Sequence, residues 1–488
     1  MMNINNINPA NHINKKTDQK TQRDLPELLL PAGNIDRFRA AILYGANAVY
    51  LGGDSLNLRA ASKGFSLDEL KQAVIEANAA NASIYYCLNS FPLQEDMIKI
   101  PQVIEDARDA GVHGFIVADP GILRLARKYA PQVPIHLSTQ ANTTNAEAIA
   151  FWQEMGVDRV NLARELSHQS VEDIRQYNPD IEIEMFVQGA QCLAVSGQCL
   201  LSNWLNNRPA NRGRCTQPCR FEYKTHAVSN FEGSEFDLDV SSANAGGGIS
   251  FFDIDDDIDR PSLIVEERKR VGQPLWTITE DEHYSAFWAP DDLCLLPYLP
   301  WFILNNITAL KIEGRVKSAA YVAHMADTYS TAIRAAKQYL DDNKNINKNM
   351  SLEDIVKGFN YMPYLQELLY TSSRPLSSGF FLGESRRNLT SDAEKLNLSG
   401  ERPMLAQIIA PAYGKDNAWQ IAVRGNWSND LTAELMLPGM KRPLLTPGSY
   451  QFENHHRELS HHVSCGTKAI LRIEHPDIRP GIFVRLVV

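Results

Sequence analysis

Short apolar runs of β type alternate with longer segments of helical period from residue 28 to residue 187, and this alternation constrains the fold more than any other feature. The runs fall at 28–30, 48–51, 83–88, 114–118, 135–138, 159–163 and 183–187, and helix-like stretches separate them at 35–44, 67–80, 100–110, 122–129, 146–155 and 171–177. An eighth run, 309–314, comes only after more than a hundred residues and leads into a long helical segment, 318–340. Eight strand-then-helix units predict an α/β fold, a (β/α)8 TIM-like barrel, occupying 25–190 and 306–345. The gap is then a large insertion after strand seven, 191–305, with a strand-rich return at 276–288. In such barrels the chemistry sits at the C-terminal ends of the strands, and the insertion starts at one of those ends.

The flanking segments read differently. Residues 1–24 are Asn- and Lys-rich with no apolar centre and are expected to form a disordered tail, not a signal sequence. Residues 346–402 read as a helical linker. From about 403 the pattern turns to β runs separated by Pro-Gly and Gly-Asn turns, predicting a small β-barrel domain over 403–488. Residues 401–488 carry ten Lys or Arg against eight acids, a mildly basic module on a chain of net charge -10. No apolar run approaches the roughly 20 residues needed to cross a bilayer, so the sequence is read as soluble and cytoplasmic.

Four of the seven cysteines, Cys192, Cys199, Cys215 and Cys219, fall within 28 residues at the start of the insertion. In a reducing compartment such a cluster argues for a metal site rather than disulfides. Four thiolates on loops suit a 4Fe-4S cluster or a tetrahedral zinc, and the spacing Cys-x6-Cys-x15-Cys-x3-Cys lacks the two close pairs of most zinc ribbons. Iron-sulfur is favoured, with zinc and unligated structural cysteines as the other readings. Cys87, Cys294 and Cys465 stand alone in apolar surroundings and are read as small buried hydrophobes. The acidic net charge argues against non-specific coating of nucleic acid, yet its distribution is uneven. Arg208, Arg212, Arg214 and Arg220 crowd the cysteines, whereas 232–259 holds nine acids and no base. The acidic stretch is too charged and Gly-rich to pack well and reads as a mobile loop.

The run from Glu184 to Ser202, including Gln188-Gly189-Ala190-Gln191-Cys192 and Cys199, resembles the signature of the peptidase U32 family. Residues 28–33, His136 to Asn142, and Leu310 to Arg315 agree with the same family, and the resemblance covers about 26–340. The order of parts is most like the family members that hydroxylate tRNA uridine 34. The resemblance implies a 4Fe-4S cluster on Cys192, Cys199, Cys215 and Cys219, and formation of 5-hydroxyuridine in tRNA with prephenate as co-substrate or required metabolite. It also implies partners: tRNA, the iron-sulfur assembly machinery and an electron donor. Where the family signature usually has His, this chain has Gln188, which cannot exchange protons near neutral pH and puts an acid–base role there in question.

Prephenate carries two carboxylates, for which an Arg fork is the natural partner. Arg59, Arg164 and Arg315 each follow a predicted strand and are candidates; surface ion pairs at the rim are the plain alternative. Glu165 and Glu313 beside them are counter-ions or positioners of a substrate hydroxyl. His136 and Gln140 bracket the end of strand five as catalytic candidates, or as satisfied structural groups. Asn142 and Asn145 suit either a base edge or turn and cap duty. RNA contact falls to Arg208, Arg212, Arg214 and Arg220 with Trp204 for stacking, although that Trp serves packing equally well, and to the terminal β module as a second grip. The alternatives are a family hydroxylase acting on rRNA or a ubiquinone precursor, a zinc-bound RNA-binding module, and a peptidase. No His-Glu-x-x-His helix or Gly-x-Ser-x-Gly elbow occurs to support the last.

Overall fold

The computed structural model describes residues 25–53, 64–220, 223–227, 262–267, 275–279, 291–372, 374–383, 387–390, 402–412, 417–454 and 458–487. In the segments between 223 and 279 it describes the backbone alone. Strand and helix alternate as the sequence predicts: β1 (Glu27–Pro31), α1 (Ile35–Leu43), β2 (Ala48–Leu51), α2 (Leu67–Ala79), β3 (Ser83–Leu88), α3 (Ile100–Asp109), β4 (Gly114–Val117), α4 (Pro120–Tyr129), β5 (Ile135–Leu137), α5 (Ala146–Glu154), β6 (Arg159–Asn161), α6 (His168–Tyr177) and β7 (Glu182–Ala190). The insertion contributes α7 (Leu201–Asn206), an antiparallel sheet of β8 (Tyr223–Ala227), β9 (Ser262–Glu267) and β10 (Leu275–Thr279), then β11 (Asp292–Cys294) and α8 (Leu299–Leu304). The chain returns through β12 (Ala309–Ile312), which pairs in parallel with both β7 and β1 and so closes an eight-stranded TIM-like barrel.

Local chemistry explains where the helices begin. Asn34, Ser66, Asp119, Asn145 and Ser167 each accept a backbone N–H from the first turn of α1, α2, α4, α5 and α6, and Ser66 completes a capping box with Glu69. Each cap satisfies a donor that the helix cannot. Ser318 does the same for α9 (Ala319–Asp342), the long helix that runs back along the barrel after β12. Two short helices, α10 (Leu352–Val356) and α11 (Met362–Leu369), follow it, and β13 (Leu376–Ser377) extends the barrel sheet by pairing with β11, itself antiparallel to β7. No described helix is long and apolar enough to cross a membrane.

The period-two alternation of the strands divides the core. Outward residues such as Leu28, Leu30, Val49, Ile84, Val160 and Ile183 pack under the helices. Inward residues form a separate cluster of Leu29, Ala48, Tyr50, Tyr85, Cys87 and Ile116, mixed with buried charge. Arg159 of β6 pairs with Glu27 of β1 at 2.8 Å and with Glu182 of β7 at 2.9 Å. Lys311 of β12 pairs with Glu184 of β7 at 2.7 Å, and Asn161 donates to the same carboxylate oxygen at 2.9 Å. Tyr85 closes the set by donating to Glu27 at 2.9 Å. The barrel axis is therefore held by ion pairs from different strands, not by apolar layers alone.

Residues 402–487 form an antiparallel sheet curled into a half-barrel, with Met404–Pro411, Ala418–Val423, Lys468–Ile473 and Phe483–Leu486 at its centre. It joins the barrel through buried polar contacts. Asp327 of α9 pairs with Arg442 at 2.7 Å and accepts the Gly439 and Met440 amides. Arg485, wholly buried, binds Glu434 and also Glu367 of α11 at 2.8 Å. Burial alone would raise the Glu367 pKa, but its contacts with His324 and Arg485 and the charge of Arg442 outweigh burial and hold the carboxyl well below its ordinary range. A group so depressed contributes stability above its unfolded pKa and loses it as pH falls toward the folded value. Glu367→Gln, which leaves Arg485 underpaired, is expected to cost about 3–5 kcal/mol at pH 7. Thermal unfolding of both proteins from pH 7 down to pH 3 checks this: the gap should narrow once the pH drops below the ordinary carboxylate range.

Candidate functional site

The cysteine segment is fixed onto the C-terminal face of the barrel by hydrogen bonds to three different βα loops. The Ser196 amide donates to Glu165 Oε1 in the loop after β6 at 2.8 Å, and its hydroxyl donates to Asn142 Oδ1 after β5 at 2.7 Å. Gln198 Nε2 donates to the Gln140 carbonyl at 2.8 Å. After β3, the Phe91 amide donates to the Asn211 carbonyl and Asp96 pairs with Arg212, both at 2.9 Å. Within the segment, Ser202 and Asn206 of α7 bind Thr216, which ties the stretch carrying Cys215 back to the helix that follows Cys199.

Over the barrel axis these loops enclose a cavity of about 140 Å³, which all four cysteines line. A volume of this size takes a small organic molecule. Its wall on the barrel side is cationic. Lys311 lies 4.6 Å from the Tyr50 ring and 5.3 Å from the Phe186 ring, and the Arg164 guanidinium covers Phe186 at 3.8 Å. Arg315, 4% exposed, hydrogen-bonds the Cys87 thiol; burial pushes that thiol's pKa up while Arg315 and Lys311 pull it back. Tyr50 donates at 3.2 Å to Glu313 Oε2, the one acid of the lining among the described residues.

The structure brings most of the sequence candidates together. Gln140, Arg164, Glu313, Arg315 and the four cysteines line this one cavity. Glu165 is one step behind, holding the Ser196 amide. His136 lies outside the lining, buried edge-on against Tyr85 with ring centroids 4.3 Å apart. Arg59 and the acidic stretch 232–259 lie outside the described residues, as do the side chains of Trp204 and Arg220. Arg208 and Arg214 are exposed, whereas Arg212 is engaged by Asp96. Asn145 is the cap of α5, and Asn142 takes a left-handed turn and receives Ser196, so both serve structure.

Gln188 is buried and turned away from the cavity. The register of β7 against β12 shifts between Lys311 and Ile312, next to Gly189 at φ +105°, where an added Cβ would lie 2.8 Å from the Glu313 carbonyl oxygen. This kink sends Gln188 outward to accept from Tyr329 of α9 at 2.9 Å. Gln188 therefore occupies a packing position outside the cavity lining. Sequence reasoning missed Tyr50, Cys87, Asn89, Asn161 and Lys311, all of which line the cavity. The alternation within β2, β3, β6 and β12 was the signal that could have found four of them. Cys294 is buried as expected, but Cys465 is exposed, its thiol donating to the Arg424 carbonyl.

The donor set fits a thiolate-bound metal centre in its chemistry. The four cysteines form no disulfide and line one cavity, and the Gln217 amide donates to Cys215 Sγ at 3.4 Å, the kind of N–H···S contact that supports a cluster thiolate. Among the described residues, no group of three Cys, His, Asp or Glu is drawn close enough to grip a single ion.

Residues 33–391 match the model of Peptidase family U32. The chain is 34% identical over 423 residues to tRNA hydroxylation protein P of Escherichia coli (strain K12), spanning 85% of this chain and 86% of that protein. It is 34% identical to tRNA hydroxylation protein P1 of Bacillus subtilis (strain 168), over 73% of this chain and 71% of the other. The 23S rRNA 5-hydroxycytidine C2501 synthase of Escherichia coli (strain K12) is 38% identical over 197 residues, 40% of this chain and 29% of that one. With the family pattern running through the barrel, the cysteine segment and the helices beyond, this chain belongs to Peptidase family U32.

Proposed function

We propose that the chain is a cytoplasmic RNA-modifying hydroxylase that converts tRNA uridine 34 to 5-hydroxyuridine in a prephenate-dependent reaction. The observation that carries the reading is the single cavity in which four cysteines face a cationic barrel wall. Relatives named for tRNA hydroxylation and for rRNA hydroxycytidine synthesis, aligned through this same region, support RNA as the substrate. In this reading Cys192, Cys199, Cys215 and Cys219 hold a 4Fe-4S cluster, which when bound supplies electron transfer to the cavity. Arg164 and Arg315 take the carboxylates of prephenate, with Arg59 as a third candidate. Glu313, fixed by Tyr50, positions a hydroxyl of the bound molecules, and Glu165 holds the cysteine loop in place. Exposed Arg208 and Arg214, together with Arg220 and Trp204, meet the tRNA. The reading calls for the iron-sulfur assembly machinery and an electron donor as partners.

Nucleoside mass spectrometry of tRNA from a strain lacking the protein tests it. 5-Hydroxyuridine and its derivatives should fall in the deletion, return with the wild-type chain and stay absent with Cys192→Ala. Unchanged tRNA would move the substrate to rRNA or a quinone precursor. Because Gln188 faces α9, Gln188→His should restore the nucleoside to within about twofold of wild type in the same assay, its cost falling on the Tyr329 hydrogen bond and hence on stability.

A further inference from the structure

The turn between Cys192 and Cys199 runs against local backbone preference. Ser196 has φ +50° and Gly197 φ +74°, so two left-handed residues follow one another. Glycine takes this conformation without steric cost, whereas a serine there is strained and persists only where its surroundings hold it. Ser196 is held twice and is only 3% exposed. Its amide donates to Glu165 Oε1 at 2.8 Å and its hydroxyl to Asn142 Oδ1 at 2.7 Å. The second Glu165 oxygen is buried and has no hydrogen-bond partner among the described residues, so the bonding of this carboxylate goes to the turn. The Gly197 carbonyl accepts from Asn211 Nδ2 at 3.1 Å, which draws in the stretch between Cys199 and Cys215. On the other side, a Cβ added at Gly197 would lie 3.5 Å from Cys192 Sγ.

We propose that Ser196 is a positioning residue of the metal centre: its two bonds to the barrel set the turn that presents Cys192 and Cys199 before any metal arrives. The inference rests on the reading of the four cysteines as ligands of one centre. A free loop loses backbone freedom when its thiolates are captured, and that loss weakens metal binding. A turn already fastened to the loops after β3, β5 and β6 has lost this freedom in folding, so less remains to be ordered. Glycine at 196 would relieve the strain and give up the hydroxyl bond. Serine does the reverse, which ties the residue to the latch and not to the turn alone. Glu165 adds a charge. A carboxylate beside the turn disfavours an added electron on the centre and so holds its reduction potential down.

The test uses full-length protein reconstituted anaerobically with iron and sulfide, as wild type, Ser196→Ala, Ser196→Gly, Asn142→Gly and Glu165→Gln. Iron and sulfide per chain, the rate at which a chelator removes iron, and the reduction potential are measured, with melting temperature as the check on folding. Both Ser196 variants and Asn142→Gly should release iron roughly three to ten times faster than wild type, the worth of one hydrogen bond. The double variant Ser196→Gly/Asn142→Gly should be no faster than either single variant, because the two side chains share that bond. Glu165→Gln should shift the potential upward, which a merely structural role would not do. Folded Ser196→Gly that keeps its iron as long as wild type would overturn the latch and leave serine as a turn residue, and so would losses that simply add in the double variant. Wild-type protein that takes up neither iron nor sulfide would overturn the metal centre itself, and the latch with it.

Discussion

Two buried ion pairs inside the barrel, Arg159 of β6 with Glu27 of β1 and Lys311 of β12 with Glu184 of neighbouring β7, set the character of everything above them. A TIM barrel is ordinarily filled by layers of branched apolar side chains. Here the inward positions of β1, β6, β7 and β12 carry charge, and each charge is buried only because a partner on another strand meets it. Breaking such a pair strands the remaining ion in low dielectric, so the register of four strands and the identity of these residues are bound together. The chain thereby keeps a polar, cationic floor at the depth where other barrels are closed by Val, Ile and Leu.

The cysteine segment depends on that scaffold. Its hydrogen bonds go to βα loops after β3, β5 and β6, whose positions follow from the closed barrel beneath. Four thiols and three cations then share one chamber of modest volume. A thiolate-bound cluster is anionic overall, and Lys311, Arg164 and Arg315 would offset that charge as well as attract an acid. In the proposed reading, recognition of a small acid and retention of a metal centre would draw on the same electrostatics.

The fold was legible because strand runs, helical periods and the eighth β unit are local signals. The observed bounds of β2, Ala48–Leu51, and the start of α2 at Leu67 are those that the strand and helix periods predict. What the sequence hid are tertiary additions: β11 and β13, only three and two residues long, gain strand geometry from pairing with β7 and with each other. In the site, the cysteines and the arginines at strand ends announce themselves by residue type. Lys311 and Asn161 did not, since a lone Lys or Asn inside a strand becomes informative only when the inward face is known. Gln188 misled for the opposite reason: one bulge beside Gly189 turned a signature position outward.

The central claim is that the cysteine loops and the barrel floor form one chamber, so that an acid bound in it is felt at the metal centre. Low-temperature electron paramagnetic resonance of the anaerobically reduced protein, with and without prephenate, tests it most directly. The account predicts a reduced iron-sulfur signal whose line shape changes on adding prephenate. A signal indifferent to prephenate in protein saturated with it, or a protein reconstituted with iron and sulfide that yields no such signal, would contradict it.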